Sequence, residues 1–265
     1  MYKRQALVHT TLATLFTFGM TALGAAVVFF TKKMPSELFT KLSLGFAAGI
    51  MISASMWSLL APAIEQVEKS GASPVLPVAG GFVLGAIFLS VMDKILPHMH
   101  LSSTETEGPH TRLGRNQLLF LAVTLHNIPE GMAVGIAFAA AAAVGEPEAY
   151  SGAIALTIGM GLQNFPEGTA LSLPLNACGM SRFKAFVFGS MSAIVEPIAA
   201  IIVVSLAAYF IPVMPWLLSF AAGAMIYVVV EELIPEAKLG EHSDLGTIAV
   251  ITGFVVMMVL DTALG

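Results

Sequence analysis

The chain has 265 residues, of which 57% are hydrophobic and only 11% are charged, with a net charge of −5 and a mean hydropathy of +0.85. Soluble globular proteins carry about 25% charged residues, so this composition excludes a water-soluble fold and predicts an all-α bundle solvated by lipid. The small net charge and the lack of a basic run exclude nucleic acid as a partner, and the single cysteine, Cys178, excludes a disulfide framework or a thiolate-rich metal cage.

Eight apolar segments, each close to the ~20 residues that cross a bilayer, follow one another along the chain. Polar links with proline or glycine separate most of them, and only YFIPVMPW, between the sixth and seventh segments, leaves a tight turn. We predict a single transmembrane domain over residues 1–265, with spans at about 10–31, 41–62, 73–92, 115–141, 152–174, 184–209, 212–236 and 245–264.

The basic residues lie mostly on one side of this predicted bundle. The links after spans 1, 3, 5 and 7 hold Lys32, Lys33, Lys41, Lys94, Arg112, Arg115, Arg182, Lys184 and Lys238. The opposite side has only Lys3, Arg4 and Lys69. The positive-inside rule therefore places both termini outside the cytoplasm. Lys3 and Arg4 followed by TALGAA also resemble a signal peptide, but the Lys32–Lys33 pair suits the cytoplasmic end of a true first span.

Spans 4 and 5 each carry N-x-P-E-G close to the middle of the span, in LHNIPEGMAVGIAFA (125–139) and GLQNFPEGTALSLPL (161–175). Because each motif lies near the middle of its span, the two motifs lie at one depth. Because consecutive spans run in opposite directions, the two helices are antiparallel. This arrangement predicts a local two-fold axis in the membrane plane. Transporters with inverted repeats have such an axis, and their binding sites lie at the repeat interface.

The spacing within each motif places polar side chains on one helix face. These residues are His126, Asn127 and Glu130 in span 4, and Gln163, Asn164 and Glu167 in span 5. Each glutamate shares a face with the residue four positions before it, and each asparagine flanks that face. Each proline frees the carbonyl four residues back, at Leu125 or Leu162, to point at a cation or water. Gly131 and Gly168 lack side-chain bulk, so we expect the two motif helices to approach each other there.

Glu196, in SAIVEPIAA at the centre of span 6, is a third carboxylate at this depth. A carboxylate at mid-bilayer costs about 2.5–3.5 kcal/mol, and no lysine or arginine occupies a span centre. The three acids therefore require shared protons or a bound metal ion, and the imidazole of His126 favours a first-row divalent ion. Met51, at the centre of span 2, could add a thioether ligand, although spacing alone is equally typical of a core methionine.

These residues resemble a known family. HNIPEG, QNFPEG and the Glu-Pro of span 6 are similar to motifs of the ZIP (Zrt/Irt-like) metal transporters, and FAAGIMISAS, VEELIPE and LDTALG point to the bacterial GufA-type branch. The resemblance covers the chain from about residue 10 to residue 265. It implies eight transmembrane helices with extracellular termini, and a central site for Zn²⁺ and similar ions, often two ions that share carboxylates.

Carried over position by position, the resemblance assigns ligands to both ions. One ion would be held by His126, Glu130, Gln163 and Glu167, with Met51 nearby, and a second by Asn127, Glu130, Asn164, Glu167 and Glu196. Asn164 stands where some relatives have aspartate, which weakens the second site and leaves one or two ions open. Glu231 stands where many relatives have histidine, which implies a different metal preference at the exit.

Charged residues at the span ends are candidates for an entrance and an exit. Glu65, after span 2 on the outer side, could attract cations, although a solvated interfacial charge explains it equally well. A cytoplasmic exit relay could use Asp93, Glu231, Glu232, Glu236 and His242. The cytoplasmic loop over residues 94–114 adds His98 and His100, which could bind released metal or simply belong to a flexible polar loop.

The leading hypothesis is movement of Zn²⁺ into the cytoplasm, across a bacterial inner membrane. The ligand set also accepts Cd²⁺, Fe²⁺, Mn²⁺ and Co²⁺. The alternatives are a membrane metal sensor and an intramembrane zinc hydrolase. We expect no enzyme, because the chain lacks H-E-x-x-H and His126 is the only histidine within a predicted span. The sequence leaves open whether transport is coupled to protons and whether the flux is channel-like or carrier-like. It also leaves open the oligomeric state, for which a homodimer is one candidate.

Overall fold

The computed structural model describes residues 2–31, 36–99, 108–109, 111–145, 149–207, 211–238 and 243–264. Every element of regular structure in these ranges is a helix. The α-helices are α1 (Tyr2–Ala26), α2 (Glu37–Ala54), α3 (Ala61–Lys69), α4 (Val75–Ile95), α5 (Arg115–Val144), α6 (Ala149–Ala177), α7 (Arg182–Met191), α8 (Val195–Ala207), α9 (Met214–Val228), α10 (Ile234–Lys238) and α11 (Ser243–Leu264). Single 3₁₀ turns at Val27–Phe29, Ser192–Ile194 and Ile211–Val213 adjoin α1, α8 and α9.

Seven helical segments in the described ranges are long and apolar enough to cross a membrane. They comprise α1, α2–α3, α4, α5, α7–α8, α9–α10 and α11. Helix α6 has 29 residues and is also long enough at about 1.5 Å per residue, but its polar motif and its two prolines lower its hydropathy. The predicted all-α membrane bundle is confirmed, with α6 as the eighth long helix. The orientation of the termini stays a prediction.

Local sequence explains where several of these helices begin and end. The Ser36 side chain accepts a hydrogen bond from the Phe39 amide at the start of α2, and Ser181 caps α7 in the same way. Helix α5 ends at Gly145, whose φ of 80° places it in the left-handed region that glycine adopts without strain. These caps satisfy backbone groups that would otherwise be orphaned at the helix ends.

The most extensive helix contacts form a symmetric pattern. Helix α1 packs on α6 and α5 packs on α8, while α2 packs on α11 and α4 packs on α9. Numbering the eight long segments as spans, these pairs are 1–5, 4–6, 2–8 and 3–7. If span 1 is exchanged with span 6, 2 with 7, 3 with 8 and 4 with 5, the pair 1–5 becomes the pair 6–4, and the pair 2–8 becomes the pair 7–3. The bundle therefore has the inverted-repeat character that the duplicated motif predicts.

Two π-helical turns occupy equivalent places in this repeat. Ser55–Leu60 joins α2 to α3 in span 2, and Val229–Leu233 joins α9 to α10 in span 7. A π-turn inserts an extra residue into the helical ladder and is common at functional sites. In this chain one of the two turns contains Glu231 and Glu232, two of the predicted exit residues.

The glycines of the two motifs pack differently from our expectation. A Cβ on Gly131 would overlap the backbone carbonyl of Glu196 on α8, and a Cβ on Gly168 would overlap that of Thr21 on α1. The prediction that these glycines let α5 and α6 approach each other was wrong. Each glycine instead lets its motif helix contact a neighbour from the other half of the repeat, which brings α1 and α8 against the centre.

Burial is greatest where the motifs lie. In the apolar window of α5, 78% of the residues are buried, against 17% in α4 and 22% in α11. Helices α4 and α11 therefore have mostly outward-facing apolar surface, as expected for helices that contact lipid. The first copy of the motif therefore lies on α5, the most enclosed of the seven segments compared.

Candidate metal centre

The polar residues of the two motifs lie together inside the bundle. Asn127 and Asn164 have no exposed surface, Gln163 is 1% exposed and Glu130 is 3% exposed. His126 and Glu167 are partly buried. Helix periodicity explains this common placement, because positions i, i+1 and i+4 of each motif share one side of the helix.

A direct hydrogen bond joins the two motifs. The side-chain nitrogen Nε2 of Gln163, on α6, donates to Oε1 of Glu130, on α5, over 2.6 Å. Glu130 and Glu167 are also near enough for electrostatic repulsion between their carboxylates. The structure therefore brings together the residues that sequence spacing placed on one face of each helix.

Glu196 lies beside this pair on α8 and is 1% exposed. Asn164 Nδ2 donates to Glu196 Oε1 over 2.8 Å. The hydroxyl of Thr17, on α1, donates to Glu196 Oε2. Four helices, α1, α5, α6 and α8, thus contribute polar side chains to one buried cluster.

Several oxygen atoms in this cluster have no hydrogen-bond donor in the part of the chain that the structure describes. They are Asn127 Oδ1, Glu130 Oε2, Gln163 Oε1, Asn164 Oδ1 and Glu167 Oε1. A buried polar atom without a partner costs about 1–3 kcal/mol, so five in one place require an explanation. The amide nitrogen of Asn127 is also without a partner among the described residues. The five oxygens outnumber it, and carboxylate and amide oxygens are suitable ligands for divalent cations.

The described residues contain no group of three or more histidine, cysteine, aspartate or glutamate side chains in a metal-binding arrangement. Acids and amides alternate in the cluster, since Gln163 and Asn164 each donate a hydrogen bond to a glutamate. A metal ion in this centre would therefore take amide oxygens as well as carboxylates and imidazole as ligands.

A cavity of about 60 Å³, large enough for several water molecules, leads from this cluster towards one end of the bundle. His126, Glu130, Gln163 and Glu167 line its inner end, and Met51 on α2 lines it as well. Asn127, Asn164 and Glu196 are absent from the lining, although all three are buried. The residues that the family resemblance assigns to the first ion thus face the cavity, whereas those specific to the second ion do not.

Glu232 extends the polar lining beyond the cluster. Its Oε1 contacts Nε2 of His126, and both residues line the cavity. Glu236 lines the cavity nearer to its mouth. Of the predicted exit residues, these two are the ones that the structure places on the path from the cluster to the end of the bundle.

A second polar pair lies beside this path. His98 Nε2 is 2.9 Å from Asp93 Oδ1, and the Tyr227 hydroxyl donates to Asp93 Oδ2 over 3.5 Å. The hydrogen bond to Asp93 raises the pKa of His98 above its ordinary value, against the opposing effect of burial. The charge of Glu232 acts in the same direction, so this pair lies within electrostatic reach of the cavity.

Glu65 and Glu231, the remaining candidates among the described residues, do not line the cavity. Glu65 is exposed and pairs with Lys69 over 2.7 Å, and Glu231 is exposed although its neighbour Glu232 is buried. His100 and His242 lie outside the described residues. The entrance and exit roles of these four residues stay predictions.

Sequence analysis missed two features of α1. Thr10, Thr14, Thr17 and Thr21 are all fully buried on one face of this helix. Their spacing of four, three and four residues is visible in the sequence and could have revealed a polar face. The statement that His126 is the only histidine in a span was also wrong, because α1 begins before His9 and the candidate span starts at Arg4.

Comparison with known proteins agrees with this geometry. A family model described as ZIP zinc transporter matches residues 98–261. The human zinc transporter ZIP11 is 37% identical over 96% of each chain, and the zinc transporter GufA of Myxococcus xanthus is 36% identical over 96% of this chain and 98% of its own. The chain belongs to the ZIP family. The zinc transporter ZIPB of Bordetella bronchiseptica is also similar, at 36% identity over 94% of this chain.

Family membership decides between the hypotheses drawn from the sequence. These ZIP relatives are named for transport, which is not an enzymatic activity. A membrane metal sensor and an intramembrane hydrolase are therefore not favoured. The match to GufA supports the bacterial branch that the sequence motifs indicated, and the apolar helices together with these relatives identify an integral membrane protein.

Proposed function

We propose that this ZIP protein carries Zn²⁺ and similar divalent ions across a membrane through the centre between α5 and α6. The observation that supports this most strongly is the set of five buried oxygen atoms, all within the two motifs, that have no hydrogen-bond donor among the described residues. A divalent cation would satisfy these oxygens together and would neutralise the neighbouring carboxylates. His126, Glu130, Gln163 and Glu167 are the proposed ligands, with Met51 as a soft ligand from α2.

The charge balance of the centre supports the same conclusion. Glu130, Glu167 and Glu196 interact repulsively with one another, and no lysine or arginine occurs at the span centres. Removing one carboxylate from water without a partner costs several kcal/mol. Since the oxygens are arranged around one region, a mobile cation offsets this cost while it is bound and can still leave.

The cavity suggests how access is controlled. It runs from the acids towards Ser43 and Glu236, near the basic residues Lys41 and Lys238 that the positive-inside rule assigns to the cytoplasm. Towards the opposite end, Leu59, Ile136 and Met160 are fully buried. A cavity on one side of the centre and buried apolar side chains on the other side support alternating access over an open pore.

We base the proposed metal and compartment on the relatives of this chain. The relatives are named zinc transporters, so we propose Zn²⁺ as the main substrate, and a centre of oxygen, imidazole and thioether ligands also suits Cd²⁺, Fe²⁺, Mn²⁺ and Co²⁺. We further propose uptake into the cytoplasm of a bacterium across its inner membrane. A homodimer is one candidate for the functional unit.

Uptake of Zn²⁺ into liposomes that contain the purified protein tests the proposal. The comparison includes empty liposomes, the Glu130→Gln/Glu167→Gln variant and a matched control, Asp244→Asn, which alters an exposed acid of α11 outside the cavity lining. We expect saturable uptake by the wild type and by Asp244→Asn, and a loss of at least about tenfold in the double variant. Folded wild-type protein that binds zinc but moves none of these divalent ions would refute transport.

A further inference from the structure

Glu196 differs from the other two acids of the centre because both of its carboxylate oxygens are hydrogen-bonded. Oε2 accepts from the Thr17 hydroxyl and Oε1 accepts from Asn164 Nδ2 over 2.8 Å. Glu130 and Glu167 each keep one oxygen without a donor among the described residues. The acids facing the cavity therefore have free acceptor capacity, whereas the acid behind them has its oxygens engaged.

The Asn164 side chain can take only one amide orientation here. Its Nδ2 lies 2.8 Å from Glu196 Oε1 and 3.3 Å from the backbone carbonyl oxygen of Thr17. An amide nitrogen has two hydrogens to donate, and these two acceptors use both. A flipped amide would place Oδ1 against the Thr17 carbonyl oxygen, which can never donate. The Asn164 Oδ1 atom therefore faces away from α1.

Thr17 thus contacts both residues that distinguish the second ion site of the resembled family. Its hydroxyl binds Glu196 and its carbonyl binds Asn164. Thr17 has no exposed surface, so water does not compete for either hydrogen bond. Gly168 permits this contact, because a Cβ there would overlap the Thr21 carbonyl and push α1 away from α6.

We propose that Thr17 and Asn164 take the place of a second metal ion at Glu196, so that the centre binds a single divalent ion between Glu130 and Glu167. This inference rests on the proposed function. Thr17 is a positioning residue that holds Glu196 and Asn164 towards α1. An ion at Glu196 would have to compete with both of these hydrogen bonds in a buried site, where hydrogen bonds to a charged group are strong.

The residue at position 164 then sets the number of bound ions. An aspartate at this position would place a second carboxylate beside Glu196 and beside the Thr17 carbonyl oxygen. Like charges in a buried site are tolerated only with a shared proton or a cation between them. The neutral amide removes this repulsion and supplies the donor that Glu196 needs, which makes the second cation unnecessary.

Binding stoichiometry in purified full-length protein tests this inference. Equilibrium dialysis against Zn²⁺ and, separately, Cd²⁺ is compared with the Glu130→Gln/Glu167→Gln variant, whose bound metal is the background from all other sites. We expect a single ion above background in the wild type and in Thr17→Ser, which keeps the hydroxyl. The Thr17→Val/Asn164→Asp variant, which lacks the hydroxyl and the amide donor, is expected to bind a second ion.

The possible results separate the two proposals. Two ions above background in the wild type would overturn the inference and leave the proposed function intact. A Thr17→Val/Asn164→Asp variant that elutes as a monodisperse peak but still binds a single ion would also overturn it. Wild-type binding equal to the background would overturn the inference and the proposed metal centre together. The wild-type result does not depend on the folding of any Thr17 or Asn164 variant.

Discussion

Gln163 donates a hydrogen bond to Glu130 across the interface of α5 and α6, over 2.6 Å. The two residues come from the two copies of one motif, 33 positions apart in the chain. The bond uses Gln163 Nε2 and Glu130 Oε1, and it leaves Glu130 Oε2 and Gln163 Oε1 without a hydrogen-bond partner among the described residues. The antiparallel motifs therefore build one centre whose remaining acceptors are available to a cation.

Replacing Glu130 by glutamine separates metal binding from folding. The change removes a buried negative charge that Glu167 and Glu196 repel, so we expect the thermal midpoint of the metal-free protein to stay level or rise. A bound ligand at about 100 times its Kd stabilises a protein by about 2.7 kcal/mol, and the variant should lose this zinc-induced increase. Thermal unfolding with and without Zn²⁺ measures both effects. An unchanged zinc-induced shift in Glu130→Gln would place the ion elsewhere.

Adding one methyl group to Gly131 tests the close packing of α5 on α8. A Cβ at this position would overlap the Glu196 carbonyl, and overpacking of this kind costs about 1–3 kcal/mol. Gly152 is the matched control, since it also lies in a helix and a Cβ there meets nothing within 4 Å. We expect a lower thermal midpoint for Gly131→Ala and an equal or higher one for Gly152→Ala. Equal midpoints for the two variants would contradict the close contact.

Met51 tests whether the cavity supplies a soft ligand. Met51→Leu keeps the volume of the side chain and removes the sulfur. Since thioethers favour soft ions, we expect uptake of Cd²⁺ to fall more than uptake of Zn²⁺. Met225→Leu makes the same change at a fully buried methionine outside the cavity lining and should alter neither. A proportional loss of both ions in Met51→Leu would assign Met51 to packing alone.

The His98–Asp93 pair predicts a pH-dependent contribution to stability. Because the hydrogen bond to Asp93 raises the pKa of His98 in the folded protein above its unfolded value of 6.5, the pair stabilises the fold fully below that value. This stabilisation is lost as the pH rises through the folded-state pKa. We therefore expect Asp93→Asn to lower the thermal midpoint more at about pH 6 than at about pH 9.

An exposed ion pair provides the control for this pH dependence. Glu65 and Lys69 are both well exposed, and such pairs contribute about 0–1 kcal/mol. Glu65→Gln should therefore have a small effect at both pH values. A midpoint loss in Asp93→Asn that is constant from about pH 6 to about pH 9 would show that the charge on His98 has no part in it.

Much of the centre was predictable because helix geometry links sequence spacing to position. His126 and Glu130, or Gln163 and Glu167, share a face in any regular helix, and their depth follows from the middle of each span. Repetition of the motif in consecutive spans then predicts that the two faces meet. The fold class followed from composition in the same way, since so few charged residues cannot cover a water-exposed surface.

What the sequence did not predict depends on contacts between distant segments. The Thr17–Glu196 hydrogen bond joins residues 179 positions apart, and nothing in either local sequence specifies the partner. The partners of Gly131 and Gly168 were wrongly predicted for the same reason. A glycine indicates that some backbone comes close, but only the packing of α1 and α8 determines which one.

Anomalous diffraction at the zinc absorption edge, from crystals of the full-length protein grown with Zn²⁺, tests the central claim most directly. The account predicts a peak between Glu130 and Glu167, about 2.0–2.2 Å from their oxygens and from His126. It also predicts that Glu196 stays hydrogen-bonded to Thr17 and Asn164. Zinc found only at other residues, such as His98 and Asp93, with the α5–α6 centre free of metal, would contradict it.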